Sequence, residues 1–296
     1  MTSGAAPLLG DALGPRGRRK VQIASVLSVL LLAALIYVAV RRLADNGQLA
    51  AEKWEPLTQY AILRFLFIGL LTTLKAAAVS MVLAMVVGGL LALGRLARNG
   101  PIRWITGAWV EVFRAVPLLL LIYFSARGLP RMGVSFPVFW YLVLGLVLYN
   151  SAVLAEIFRA GIVSLDGGQT EASLAIGMSY WQSMLLVVIP QALRRMVPSI
   201  VSQLVTLLKD TSLGFIIPIE ELLRRSQILG EFKGKPLLQS LALAALIYIA
   251  INFALSRVAR RLEVRQRRRY GGGGVAVTGS EDLAVVNAQA MGSASL

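Results

Sequence analysis

Long apolar runs alternate along the chain with short polar breaks rich in arginine, and the lengths of the runs set the expected architecture. Val21 to Val40 is predominantly apolar and long enough for one bilayer crossing. Further runs extend from Phe65 to Leu93, from Trp104 to Ser125 and from Val138 to Phe158. A fifth, Met196 to Leu208, is short for a crossing and leads into the polar cluster Lys209-Asp210-Thr211-Ser212. The last is Leu237 to Ser256. Runs of this length in lipid satisfy their backbone as helices, so the pattern predicts an all-α integral membrane protein with about six transmembrane helices.

Polar and small positions inside the runs add detail. Thr72, Ala76, Ser80, Ala84, Gly88 and Ala92 recur every four residues and form one small ridge, the kind of face on which membrane helices approach closely. Glu111 and Arg114 stand three residues apart in the third run, where they can pair on one helix face as a structural ion pair. Residues 126–136 are expected to form a short external turn. The fourth run ends in Glu156 and Arg159. The cluster after Leu208 predicts a discontinuous helix, a device by which transporters expose backbone and side-chain groups to substrate. Lys209 beside Asp210 offers a donor for a carboxylate and an acceptor for an ammonium, or the two charges neutralise each other and hold the break.

Between the fourth and fifth runs lies a polar, small-residue segment that must leave the bilayer. Asp166-Gly167-Gly168 begins it, Thr170 is a candidate N-cap, and Glu171 in the first turn favours the positive end of a helix dipole. Gly177 permits a bend, and Trp181 and Met184 read as interface anchors. The expected product is a short helix outside the membrane with an exposed ridge of Ala172, Ser173 and Ala175.

Composition narrows the chemistry. The chain has 296 residues, 57% of them hydrophobic, and a formal charge of +15. Its arginines crowd at the ends of apolar runs (Arg16, Arg18 and Arg19; Arg95, Arg98 and Arg103; Arg257, Arg260 and Arg261), which is how cytoplasmic flanks are marked, so the charge reads as membrane orientation and not as nucleic-acid binding. On this basis both termini are expected in the cytoplasm. The chain has no cysteine and no histidine, which removes disulfides, thiolate nucleophiles, imidazole bases and most zinc sites together. Gly230 to Gly234-Lys235-Pro236 falls one residue short of a Walker A loop and carries Pro where Ser or Thr must hold magnesium. If ATP drives this protein, another chain hydrolyses it.

The segment Glu171-Ala172-Ser173, three residues, Gly177, nine residues, Val187-Val188-Ile189-Pro190 resembles the signature cytoplasmic loop of the membrane subunits of bacterial ABC importers. Glu111-Val112-Phe113-Arg114-Ala115-Val116-Pro117, Gly168-Gln169, Pro190-Gln191-Ala192 and Lys209-Asp210-Thr211-Ser212-Leu213 are similar to motifs of the polar amino acid permeases within that group, the actinobacterial glutamate-import permeases above all. Ser173 within the signature and Ser202, where the family often has Asn, depart from the pattern. The resemblance covers roughly residues 60–265.

It implies the type I ABC importer permease fold, with residues 1–20 a cytoplasmic tail, 21–60 a first transmembrane helix and external loop, 61–265 the transmembrane domain (coupling loop about 161–190) and 266–296 a disordered tail. By the resemblance, Gly168, Gln169, Glu171, Ala172, Ser173, Gly177 and Pro190 couple the subunit to a pair of ABC ATPase subunits. Substrate contact is expected from Lys209, Asp210, Thr211 and Ser212, with Glu156 and Arg159 as lesser candidates. Further partners are a second permease subunit, alike or identical, and an extracytoplasmic binding protein that delivers an amino acid. This chain itself is expected to bind no cofactor, ATP and magnesium lying on the partner ATPase, and to perform no bond chemistry. A permease for glutamine, arginine or cystine is the near alternative, and a channel without an ATPase partner the distant one; no filter-like carbonyl loop is evident.

Overall fold

The computed structural model describes residues 14–231 and 236–270, and every regular element among them is helical. The chain divides into two compact units, residues 1–64 with 227–242, and residues 65–226 with 243–296.

In the first unit, α1 (Pro15–Asp45) opens on a proline, whose missing N–H is no loss in a first turn. The helix therefore takes in the last residues of the expected tail, and residues 1–13 lie outside those described. Its apolar stretch is unburied all round, a surface suited to lipid or to another chain. A short α2 (Ala51–Trp54) and a 3₁₀ turn (Glu55–Thr58) follow. Gln239 at the start of α11 (Leu237–Tyr270) donates to the Gln48 carbonyl at 2.6 Å, tying this connection down. Because α11 reaches Tyr270, the first residues of the expected C-terminal tail are helical, and those beyond lie outside the described residues.

The second unit is built around α6 (Val138–Val163), which packs against α4 (Gly100–Ala115), α5 (Leu118–Arg131) and α9 (Ile189–Asp210). The small ridge of α3 (Tyr60–Arg95) is buried from Ala76 through Ser80, Ala84 and Gly88 to Ala92, although at its start Thr73 is buried and Thr72 only half so. A Cβ on Gly88 would stand 2.8 Å from the Ser151 carbonyl oxygen and 3.0 Å from the Leu154 Cβ. Across α6, a Cβ on Gly145 would stand 2.9 Å from the Ile122 backbone of α5. Glycine is required at both places by close approach, and dispersion between nearly touching backbones holds the helices where lipid offers no hydrophobic drive.

The third apolar run is not one straight span. It breaks between α4 and α5 with a bend of 98°. Pro117 has no N–H to give and forces Val116 into an extended conformation (φ −77°, ψ 129°), so α4 ends there and α5 restarts. The expected turn at 126–136 is in part the last turns of α5, with Pro130 inside the helix. Among the described residues five helices are long and apolar enough to cross a membrane, six if the bent pair counts as one span. The polar segment after Ile219 contains α10 (Leu222–Leu229).

Candidate functional site

The polar segment after α6 folds as a capped, closed loop. Asp166, not Thr170, is the N-cap of α7 (Gly167–Ala175): its carboxylate accepts from the Gly168 amide at 2.9 Å, so the helix starts one turn earlier than expected. At the other end Gly177 takes φ +87°, and two reverse hydrogen bonds close a Schellman motif, Met178 N–H to Ser173 O (3.2 Å) and Gly177 N–H to Leu174 O (3.0 Å). Only a residue without a Cβ holds that φ cheaply. The chain then re-enters through α8 (Tyr180–Ser183), whose capping box pairs Ser179 with Gln182. A wide π turn, Met184–Val188, precedes Pro190. The proline cannot donate in the i→i−4 ladder, and the wide turn takes up the mismatch.

Of the residues singled out in this loop, Gly168, Gln169, Glu171, Ala172, Gly177 and Pro190 are exposed. Ser173 is not part of an exposed ridge. It is buried, donating to the Thr170 carbonyl at 2.7 Å and bonded to the Ser183 hydroxyl at 2.5 Å, because the helix phase set by Asp166 turns it towards α8. The outward face is Glu171, Ala172, Leu174, Ala175 and Ile176, the last of them 80% exposed. Met184 is buried, while Trp181 stays exposed. Gln191 of α9 donates to Gln169 at 3.2 Å, Arg195 donates to the Ser164 carbonyl at 3.0 Å, and Arg98 lies over the Tyr180 ring at 4.9 Å. The loop is thus fastened to α9 and to the α3–α4 connection.

Close to this end of α6 sits a four-residue charge cluster. Glu156 accepts from Arg159 on its own helix and from Arg95 at 2.5 Å at the end of α3, and Arg95 reaches Glu111 of α4 at 3.7 Å. Glu111 therefore pairs across helices with Arg95 and not along its own helix with Arg114: the bond across helices joins three elements, whereas the local one would join none. Two anions and two cations compensate each other here, and Glu156 and Arg159 are engaged in this joint.

Lys209, Asp210, Thr211 and Ser212 lie at the far end of α9, about 30 Å from the loop by helix rise. The expected break is mild: α9 runs through Asp210 and tightens into a 3₁₀ helix, Thr211–Ile216. Thr211 is fully buried and returns its hydroxyl to Leu208 O, and Ser212 returns its own to Lys209 O, both at 2.7 Å. Lys209 is exposed and Asp210 half-buried; among the described residues no ion pair within 4 Å joins them. Glu156 and Arg159 thus do not share a site with this group.

Between the two ends α9 carries an exposed polar stripe. Arg195, Ser199, Ser202, Thr206 and Lys209, spaced alternately by four and three residues, fall on one face and are all exposed. Such a stripe on a membrane-crossing helix is unfavourable against hydrocarbon and belongs against another protein surface or a water-filled path.

The inner membrane component family of binding-protein-dependent transport systems matches residues 84–268. A probable glutamine ABC transporter permease of Bacillus subtilis is 42% identical over 206 residues, 69% of this chain and 94% of its own length. The chain belongs to this family. A glutamate transport system permease of Corynebacterium glutamicum is 40% identical over 76% of this chain and 84% of its own. The crystal structure of an amino acid ABC transporter with histidines matches with a TM-score of 0.66 at 28% identity, covering 73% of this chain and 98% of that one. With its apolar helices, the permease is a multi-pass membrane protein.

Two polar features of the permease were not singled out from sequence as a site. Asn150, fully buried at the middle of α6, accepts from Gln203 of α9 at 2.7 Å and donates to Leu146 O. A single amide inside an apolar run was the available signal. Glu221, also fully buried, accepts from the amides of Leu223 (2.9 Å) and Arg224 (2.7 Å) and from the Tyr248 hydroxyl (3.0 Å). Beside it Thr73 accepts from the Leu222 amide at 3.2 Å, so α3, α10 and α11 meet there. Burial pushes the Glu221 carboxyl above the ordinary range, against the lowering effect of those donors. Nothing in the local sequence distinguishes Glu221 from its exposed neighbour Glu220.

Proposed function

We propose that this chain is the permease subunit of an ATP-driven amino acid importer with glutamate as its substrate, working by alternating access. The observation that carries the transport path is the polar stripe of α9, which ends at Lys209. It gives a translocated zwitterion hydroxyls and cations along one face of a span, and Asp210 at its end offers an acceptor for the ammonium. Glutamate, with two carboxylates, suits a face that carries Arg195 and Lys209. The reading for glutamate draws support from the Corynebacterium glutamicum relative. The Bacillus subtilis relative at 42% identity favours glutamine as the second reading.

In this reading the exposed face of α7 docks on one of a pair of ABC ATPase subunits, which hold ATP and magnesium, and an extracytoplasmic binding protein supplies the amino acid. A second permease subunit, alike or identical, faces the α9 stripe across the transport path. ATP-driven closure moves the α7 loop as a rigid piece, because Gln191, Arg195 and Ser183 tie it to the return helix. The two conformations must differ in affinity for substrate, since a ligand shifts only an equilibrium it binds unequally.

The test is uptake of radiolabelled glutamate by cells with and without the gene, competed by unlabelled aspartate, glutamine and arginine. Loss of uptake competed by acidic amino acids alone supports glutamate. Loss of glutamine uptake with glutamate unchanged moves the substrate and keeps the importer. Lys209→Ala is expected to abolish uptake and leave assembly with the ATPase intact, as read by co-purification; loss of assembly would make Lys209 structural.

A further inference from the structure

Between α9 and α11 the helices part around a groove of about 210 Å³, lined by Pro198, Ser202, Val205, Ser256, Ala259 and Arg260. Apart from Arg260 its walls are small side chains, which leave the space between the two helices unfilled. Its polar groups all can donate hydrogen bonds, and no carboxylate lines it. Among the residues whose side chains are described, Arg260 has no acidic partner within ion-pair distance. The hydroxyls of Ser202 and Ser256 likewise have no intramolecular partner there, whereas Thr206, Thr211 and Ser212, on the same stretch of chain as Ser202, return theirs to the backbone. A guanidinium and two uncommitted hydroxyls therefore face one space.

We propose that this groove is a binding site for an oxyanion, a carboxylate or a phosphate. The planar fork of Arg260 takes two oxygens side by side, and the two serine hydroxyls donate to what remains of the anion. Position supplies two sources for that chemistry. Ser202 also belongs to the exposed stripe of α9, so a carboxylate of the transported amino acid reaches the groove from that face; this source rests on the function proposed above. Arg260 is the penultimate residue of the span Leu237–Arg261, at the depth where long basic side chains reach the membrane boundary, so a phospholipid phosphate reaches it from the bilayer.

The experiment uses the assembled transporter, permease with its ATPase, in nanodiscs. One arm measures equilibrium binding of radiolabelled glutamate in phosphatidylcholine discs without the binding protein. The other measures retention of phosphatidylglycerol from mixed discs by native mass spectrometry. The proposal expects the wild type to hold at least one probe, Arg260→Gln and the double variant Ser202→Ala/Ser256→Ala to weaken it at least about tenfold, and Arg260→Lys to keep part of it. Arg260-dependent glutamate binding names the carboxylate source, and Arg260-dependent lipid retention the phosphate source. A wild type that holds neither probe, or variants that hold both unchanged, overturns the site. ATP-driven glutamate uptake by the same wild-type preparation is scored separately: no uptake with Arg260-dependent lipid retention would sink the glutamate reading and leave the oxyanion site standing.

Discussion

Two helices of this permease carry small and polar side chains at nearly the same spacing, and the structure treats them in opposite ways. On α3 the row Ala76, Ser80, Ala84, Gly88, Ala92 is buried against α6, with Gly88 almost touching the Ser151 carbonyl. On α9 the row Arg195, Ser199, Ser202, Thr206, Lys209 is exposed from end to end. The difference lies in charge and in what the neighbour can supply. A small, uncharged row lets backbones meet and is consumed by packing. A row with a cation at each end cannot be buried on an apolar helix without partners, and it is not at home in lipid. It is left over from the fold of one chain for use by an assembly.

The largest expected effect comes from adding one side chain to each row. Gly88→Leu must push α3 off α6, because the obstacle is backbone and cannot rotate away. The cost should be about 3 kcal/mol, seen as loss of monodisperse protein in detergent and a lowered thermal midpoint. Ser199→Leu puts the same side chain on the α9 row and should leave folding within about 0.5 kcal/mol of wild type while uptake falls. If Ser199→Leu unfolds the chain as Gly88→Leu does, the α9 row is part of the subunit core and the comparison fails.

The sequence made part of this contrast readable. The α3 ridge shows as a period of four small residues, and the loop shows in the spacing of Glu171, Gly177 and Pro190. The bend at Pro117 was not anticipated, because hydropathy continues unbroken across Val116-Pro117 and only the missing amide ends the helix. The pairing of Glu111 with Arg95 was hidden for a different reason. Local spacing suggests Arg114, but the partner is chosen by the packing of α3 on α4, which no window of sequence contains. The same holds for Asn150 with Gln203 and for Glu221 with Tyr248. Burial of Ser173 turned on a single helix start: moving the N-cap from Thr170 to Asp166 decides which side of α7 faces α8.

A middle-sized effect belongs to the charge cluster at the foot of the seam. Glu156 takes both Arg95 and Arg159 and is 26% exposed, so Glu156→Gln leaves Arg159 without its anion and Arg95 with only the longer bond to Glu111. Allowing for that remaining exposure, the loss should be about 1–3 kcal/mol in a thermal or denaturant titration. Glu111 is 67% exposed with its bond at 3.7 Å, and Glu111→Gln should stay within about 0.5 kcal/mol. Equal effects would mean that Glu156 contributes no more to the joint than the exposed Glu111 does.

The smallest effect tests whether a hydroxyl can be consumed by packing as a methyl group is. Ser173 stands where the related signature has Ala, and in this chain it meets the Ser183 hydroxyl in a buried site. If the two form a matched pair, Ser173→Ala leaves Ser183 facing a methyl group and should cost about 1 kcal/mol. Ser183→Ala should cost a similar amount, and the double variant Ser173→Ala/Ser183→Ala less than the sum of the two, since neither hydroxyl is then left alone. A coupling of about 0.5 kcal/mol or more in that double-mutant cycle, read from thermal unfolding of the detergent-solubilised permease, is the expected result. Additive losses would show that each serine is satisfied independently, as Ser173 already is in part through Thr170 O, and that the two hydroxyls are not coupled. Coupling would instead mean that α7 is locked to α8 by a polar contact, as α3 is locked to α6 by an apolar one. The loop would then move as one body with α9, whose exposed row it would turn.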